Sequence, residues 1–302
     1  MDAKPHYMKP VRLYLWITFL CLNTALPASG QTGVNFTEIS ELARFANAAY
    51  RSEAEIHTVV EKSDYKLVLH HTIAESQVAF FLATNELTKT QIISIRGTAN
   101  IENTMVNISL KLTVNPDIGV SLHNGFAYSA KQIYAELQPF LIPEYKINVT
   151  GHSLGGAVAI ILAMYLDTNQ FNVNQVVTFG QPKVTNLLGA DKFQHMNIIR
   201  VVAPADLVPL VPLFDPLDIK NLDIYWHVGK EVILLDETGY ATLEGFDSML
   251  RATKFTQKAW NEENLNNHRM SAYLKLIDAR RKASELVPYT TDFNLFNLFG
   301  NE

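Results

Sequence analysis

Cysteine is all but missing from this sequence. The one cysteine among 302 residues, Cys21, lies in an apolar N-terminal segment. Without that segment the chain can form no disulfide, no thiolate zinc site and no thiol nucleophile. Membrane-length apolar runs are missing too: "LYLWITFLCLNTAL" (13–26) is interrupted by Asn23 and stopped by Pro27, short of the roughly 20 residues a spanning helix needs. Basic charge is not in excess, since the formal net charge is −5, which argues against a nucleic-acid partner. Neither His-Glu-x-x-His nor Gly-x4-Gly-Lys-Ser/Thr occurs, so no metal site, nucleotide or other cofactor is expected. No repeat, composition break or Pro/Gly/Ser-rich linker divides the chain.

What is present at the N-terminus follows a targeting pattern. Lys4, Lys9 and Arg12 precede the apolar segment, and small residues at Ala28 and Gly30 follow it. That order predicts a secretory signal peptide over 1–30, removed near Gly30–Gln31, and a secreted or periplasmic product. The remainder, 31–302, is expected to form a single α/β domain; 48% of residues are hydrophobic and 18% charged, ample for a core.

"FTEISELARFANAAY" (36–50) carries helical apolar spacing, and "KLVLHHT", "QVAFFLAT" and "QIISIRG" predict neighbouring, mostly antiparallel strands. A helix is predicted over 124–140. "KINVTGHS", "LGGAVAIILAMYL" and "QVVTFGQP" read as strand, buried helix and strand, a βαβ unit with parallel strands. "NIIRVVAP" predicts another buried strand, "YWHVGKEVILL" a strand pair, and a last helix begins near Asn267.

The chemistry centres on "GHSLGG" (151–156). Gly-x-Ser-x-Gly between strand and helix is a nucleophile elbow. Its glycines admit a reversal that a Cβ would block, and Ser153 is left at a helix N-terminus that favours developing negative charge. A serine hydroxyl needs a histidine base and an acid that orients the base, in the chain order Ser, acid, His. Asp206, just past "IIRVVAP" and between prolines, fits the acid better than Asp215 or Asp218, which sit further from the strand end. Of the histidines after it, His227 lies within a strand-like run, whereas His268 opens the last helix in a polar segment. His268 is therefore the expected base.

"SIRGT" (94–98), "HNGF" (123–126), "GHSLGG", "FGQPKV" (179–184), "DLVPLVP" (206–212), "HVGKEV" (227–232) and "HRMSAY" (268–273) together resemble the class 3 lipases, the fungal-type triacylglycerol lipase family. The resemblance implies an α/β-hydrolase fold: a central, mostly parallel sheet with helices on both faces. It assigns Ser153, Asp206 and His268 to a triad, and the backbone N–H groups of Leu154 and Thr98 to an oxyanion hole. It also implies a lid after Arg96-Gly97-Thr98, where Ile101, Met105 and Ile108 fall on one helical face; a helix edge packed on the core is the alternative. The family's Asp-Trp pair is replaced here by Asn103-Thr104. The implied partner is a lipid ester, with a lipid–water interface if the lid operates. A phospholipase A1, a soluble carboxyl or feruloyl esterase, and a non-catalytic binding module on the same fold stay open, as do acyl length, head group and oligomeric state.

Overall fold

The computed structural model describes residues 33–98, 111–212, 224–253 and 262–289. The described residues from Asn35 onward form one compact unit. The expected signal peptide (1–30), the expected lid residues Ile101, Met105 and Ile108, and the alternative acids Asp215 and Asp218 lie outside the described residues.

Three strands, β1 (Lys66–Thr72), β2 (Ala79–Asn85) and β3 (Thr90–Ile95), pair antiparallel as the sequence predicts. The parallel part follows: β3 pairs with β6 (Lys146–His152), β6 with β7 (Val173–Phe179), and β7 with β9 (Ile198–Val202). Beyond β9 come β11 (Lys230–Leu234), parallel to it, β12 (Gly239–Leu243), antiparallel to β11, and the short β13 (Glu285–Leu286). A second, antiparallel sheet joins β4 (Leu112–Asn115), β5 (Val120–His123), β8 (Thr185–Asn186) and β10 (Tyr225–Trp226) in the order β10-β8-β5-β4.

Strand alternation shows why both faces of the main sheet carry helices. Ile93, Ile95 and Val149 enter one apolar cluster with α3 (Asn124–Leu137) and α4 (Leu154–Thr168). Their neighbours Ser94 and Thr150 point the other way, donating side-chain hydrogen bonds to the carbonyls of Phe45 and Leu42 in α1 (Phe36–Ala48). Every residue of α4 from Gly155 to Leu166 is buried, as expected of a helix that is apolar all round. α2 (Glu53–Glu61), which the apolar spacing did not reveal, starts on a Ser52–Glu55 capping box that is legible as Ser-x-x-Glu.

Two expectations are corrected. "YWHVGKEVILL" is not a strand pair: Tyr225–Trp226 belongs to the small sheet, Lys230–Leu234 to the large one. Buried His227 sits between them and its Nε2 bonds to the Pro209 carbonyl at 2.7 Å, holding the chain where it changes sheets. The last helix does not begin near Asn267 but is two: α7 (Glu262–His268) and α8 (Met270–Lys282). The helix breaks because Arg269 is extended (φ −66°, ψ 141°) and the His268 carbonyl bonds to His152 Nε2, at 2.6 Å, instead of a helical N–H. The remaining helices are α5 (Leu187–Lys192) and α6 (Gly245–Thr253).

Buried against α6 lies a charged cluster. Glu231 accepts from Arg251 Nη2 at 2.5 Å and from Ser248 Oγ at 2.6 Å, with Arg200 Nη2 4.0 Å away; Arg200 in turn donates to Ser248 Oγ at 2.9 Å. Burial pushes the Glu231 carboxyl up, but the two guanidinium groups outweigh it and hold the carboxyl below its ordinary range.

Candidate active site

Ser153 directly follows β6 and caps α4 with φ 58° and ψ −131°, a backbone region that non-glycine residues rarely enter. Surrounding structure fixes it there. The Ser153 N–H donates to the Phe179 carbonyl at 2.8 Å, and its carbonyl accepts from Ala157 N–H at 3.2 Å. The flanking glycines permit the approach: a Cβ on Gly151 would lie 2.5 Å from the Gly155 carbonyl oxygen, and one on Gly155 would lie 2.7 Å from the Gly97 nitrogen. The elbow is therefore also the point where α4 meets the end of β3.

Asp206 follows β9 and is fully buried. Its Oδ1 accepts from Val208 N–H at 2.9 Å. Its Oδ2 accepts from His268 Nδ1 at 2.8 Å and from the Tyr273 hydroxyl at 2.6 Å. Burial, then the Asp206 charge, pushes the Tyr273 hydroxyl well above its ordinary pKa, so it stays a donor. Gly180, whose missing Cβ would sit 2.7 Å from Asp206 Oδ2 and 2.9 Å from His268 Nδ1, lies directly beneath the pair. It follows Phe179, the residue that holds the Ser153 amide, and so the elbow and the Asp–His pair adjoin. The His268 Nε2 and Ser153 Oγ atoms are both buried and have no hydrogen-bond partner among the described residues.

The two expected oxyanion donors come from separate elements. Leu154 is the first residue of α4, half-buried, in the turn whose N–H groups have no intrahelical acceptor. Thr98 is exposed and follows Gly97, whose missing Cβ would lie 3.1 Å from Ser153 Cβ. Both thus flank the serine.

His227, the alternative base, lies elsewhere: it pins Pro209, and burial, then Arg200, holds its imidazole well below the ordinary pKa. Lys183 acts beside it. Its Nζ donates to the carbonyls of Leu210 and Pro212 at 2.5 and 2.7 Å, so two buried side chains anchor the segment that leaves Asp206. Sequence reasoning assigned no role to Lys183, Tyr273, His152 or Tyr50. Tyr273 could have been found, being one helical turn and one residue past His268 on the buried side of α8; nothing in the sequence points to Tyr50. Among the described residues no group of three or more His, Cys, Asp or Glu could hold a metal ion, and no helix is long and apolar enough to cross a membrane.

Known lipases resemble this chain in sequence and in fold. Residues 92–215 match the family Lipase (class 3). The secreted mono- and diacylglycerol lipase 1 of Fusarium solani is 31% identical over 162 residues, 51% of this chain and 48% of that protein. A lipase of Rhizomucor miehei is 31% identical over 144 residues, 43% of this chain and 40% of that protein. The chain thus spans less than half the length of these relatives. Among solved structures, the Lip2 lipase of Yarrowia lipolytica superposes with a TM-score of 0.54 at 26% identity, covering 66% of this chain and 78% of that one. A triacylglycerol lipase whose catalytic centre is a serine protease triad superposes at 0.57 and 22% identity, over 77% and 91% of the two chains. The sheet order, the helices on both faces and the elbow after β6 are those of an α/β-hydrolase, and the chain's central part, residues 92–215, is similar to the class 3 lipases.

Proposed function

We propose that this protein is a serine hydrolase that cleaves the carboxylic esters of lipids, with Ser153 as nucleophile, His268 as base and Asp206 as the group that orients the base. The observation that carries this reading is the 2.8 Å bond from His268 Nδ1 to buried Asp206, beside a serine held at φ 58°. With Nδ1–H donated to the carboxylate, Nε2 keeps the lone pair that a base requires. His268 takes the proton of Ser153 as Oγ attacks the ester carbonyl. The oxyanion is met by the N–H groups of Leu154 and Thr98, a contribution of about 3–4 kcal/mol for each donor in comparable sites. Collapse expels the alcohol, which receives the proton from His268, and leaves an acyl-Ser153. Water, deprotonated by the same imidazole, then releases the fatty acid.

The signal-peptide pattern over 1–30 and the secreted Fusarium relative support export. The segment 99–108, between the Thr98 donor and β4, is proposed as the lid.

The test is tributyrin hydrolysis as ester concentration passes its solubility limit, with Ser153→Ala alongside. A Ser153-dependent rate that jumps when droplets form supports a lidded lipase. A Ser153-dependent rate that saturates while the ester is dissolved replaces that with an open esterase. Turnover that survives in Ser153→Ala removes the proposed nucleophile.

A further inference from the structure

Behind the triad runs a second hydrogen-bonded chain of atoms. Gly97 N–H donates to the Tyr50 hydroxyl oxygen at 3.1 Å; Tyr50 and His152 Nδ1 are 2.7 Å apart; His152 Nε2 and the His268 carbonyl oxygen are 2.6 Å apart. Each proton has one consistent place. A carbonyl oxygen only accepts, so His152 Nε2 must carry a hydrogen. Burial, then the neighbouring His268, holds the His152 imidazole well below its ordinary pKa, so its Nδ1 has no hydrogen and accepts from the Tyr50 hydroxyl. The hydroxyl oxygen is then free to accept from Gly97.

The ends of this chain of bonds lie on the two parts of the site that must be in register. Gly97 directly precedes Thr98, the proposed oxyanion donor, and Gly97 has no Cβ because one would lie 2.5 Å from both the Tyr50 hydroxyl and the His152 carbonyl oxygen. At the other end is the main chain of the proposed base. The middle, His152, is the residue before the nucleophile, with its ring centroid 4.6 Å from that of His268. Neutrality matters at that separation. When His268 becomes an imidazolium during acyl transfer, a neutral His152 adds no opposing charge, and its Nε2–H steadies the His268 backbone.

We infer that Tyr50 and His152 are positioning residues: together they set the spacing between the oxyanion donor at Thr98 and the imidazole of His268. The inference rests on the hydrolase reading above. It goes beyond the elbow motif because Tyr50 comes from the turn after α1 and contacts no reacting atom.

The experiment uses the full chain with p-nitrophenyl butyrate below its solubility limit. Active sites are counted by the end-point of labelling with a fluorophosphonate, and Ser153→Ala is the blank. Tyr50→Phe removes only a hydroxyl, His152→Leu removes both ring nitrogens, and His152→Gln restores a donor to the His268 carbonyl. Tyr50→Phe and His152→Leu are expected to lower kcat per labelled site by about tenfold or more, as misplacement of a catalytic group does, with KM within about twofold of wild type. His152→Gln is expected to recover part of that loss. Unchanged kcat per site in Tyr50→Phe overturns the inference whatever happens to thermal stability, and so does a loss confined to KM. A wild-type protein with no Ser153-dependent turnover overturns the hydrolase reading and this inference with it, whereas wild-type turnover with unaltered Tyr50→Phe kinetics overturns the inference alone.

Discussion

The Tyr273 hydroxyl donates to Asp206 Oδ2 at 2.6 Å, the same oxygen that accepts His268 Nδ1 at 2.8 Å. The tyrosine also accepts from the Ala203 N–H at 3.1 Å, which ties the carboxylate to the end of β9. Tyr273→Phe should therefore cost roughly 1.5–3 kcal/mol of stability, the range for a hydrogen bond to a charged group. It should also reduce kcat, because the carboxylate is freer to turn away from His268. Urea denaturation and ester hydrolysis read the two effects; a variant with wild-type stability would mean the hydroxyl bond contributes nothing net.

Lys183 gives a pH signature. Burial first, then Arg200 and Arg251, pushes its ammonium down to about 7 against the Glu231 charge. The unfolded chain holds that proton up to about 10.5, so between these values the unfolded state binds more protons and stability rises with pH. Below pH 7 both states are protonated and this contribution is flat. Lys183→Met should lack the rise. Denaturation midpoints at pH 7 and pH 9.5 decide it: parallel changes in wild type and variant would exclude Lys183 as the source.

Glu231 is the one carboxylate facing Arg200 and Arg251 in the buried cluster among the described residues, and its neighbours are aligned by Ser248. Glu231→Gln leaves two buried guanidinium groups without a counter-charge, at a cost of about 3–5 kcal/mol. Because the native carboxyl is held below its ordinary range, this stabilisation is present above the unfolded carboxylate pKa and is lost as pH falls through the folded one. Calorimetry at neutral pH should find the variant melting well below wild type.

Ser153 occupies a backbone region that costs about 1–3 kcal/mol for a residue with a side chain. Ser153→Gly relieves it at the expense of some backbone entropy, so this variant should be more stable than wild type by about 1 kcal/mol. A thermal shift in the opposite direction would show that the elbow is not strained.

The main sheet and the elbow were legible in the sequence because their signals are local. β3, β6 and β7 carry branched or aromatic apolar residues at short spacing (Ile92, Ile93 and Ile95; Ile147 and Val149; Val176, Val177 and Phe179), and "GHSLGG" carries its glycines within a few residues of Ser153. Asp206 and His268 followed from chain order and flanking prolines or polar residues. The parts that were not legible are defined by distance along the chain. The switch between sheets at His227 depends on a carbonyl at Pro209, and the break after His268 depends on a ring at His152. Tyr50 reaches Gly97 and His152 from an N-terminal turn with no pattern of its own. Such residues are chosen by what meets them in space, which periodicity does not encode.

The all-round burial of Gly155–Leu166 in α4 has a kinetic consequence. No face of that stretch is open to water, so it is covered only once β3, β6 and β7 have assembled with α3, from segments that begin at Thr90 and end at Phe179. Partial unfolding that detaches any of these exposes an uninterrupted apolar stretch, and such stretches associate faster than large α/β chains refold. Inactivation on heating should then be irreversible and dependent on protein concentration, with lifetime set by the height of the unfolding barrier.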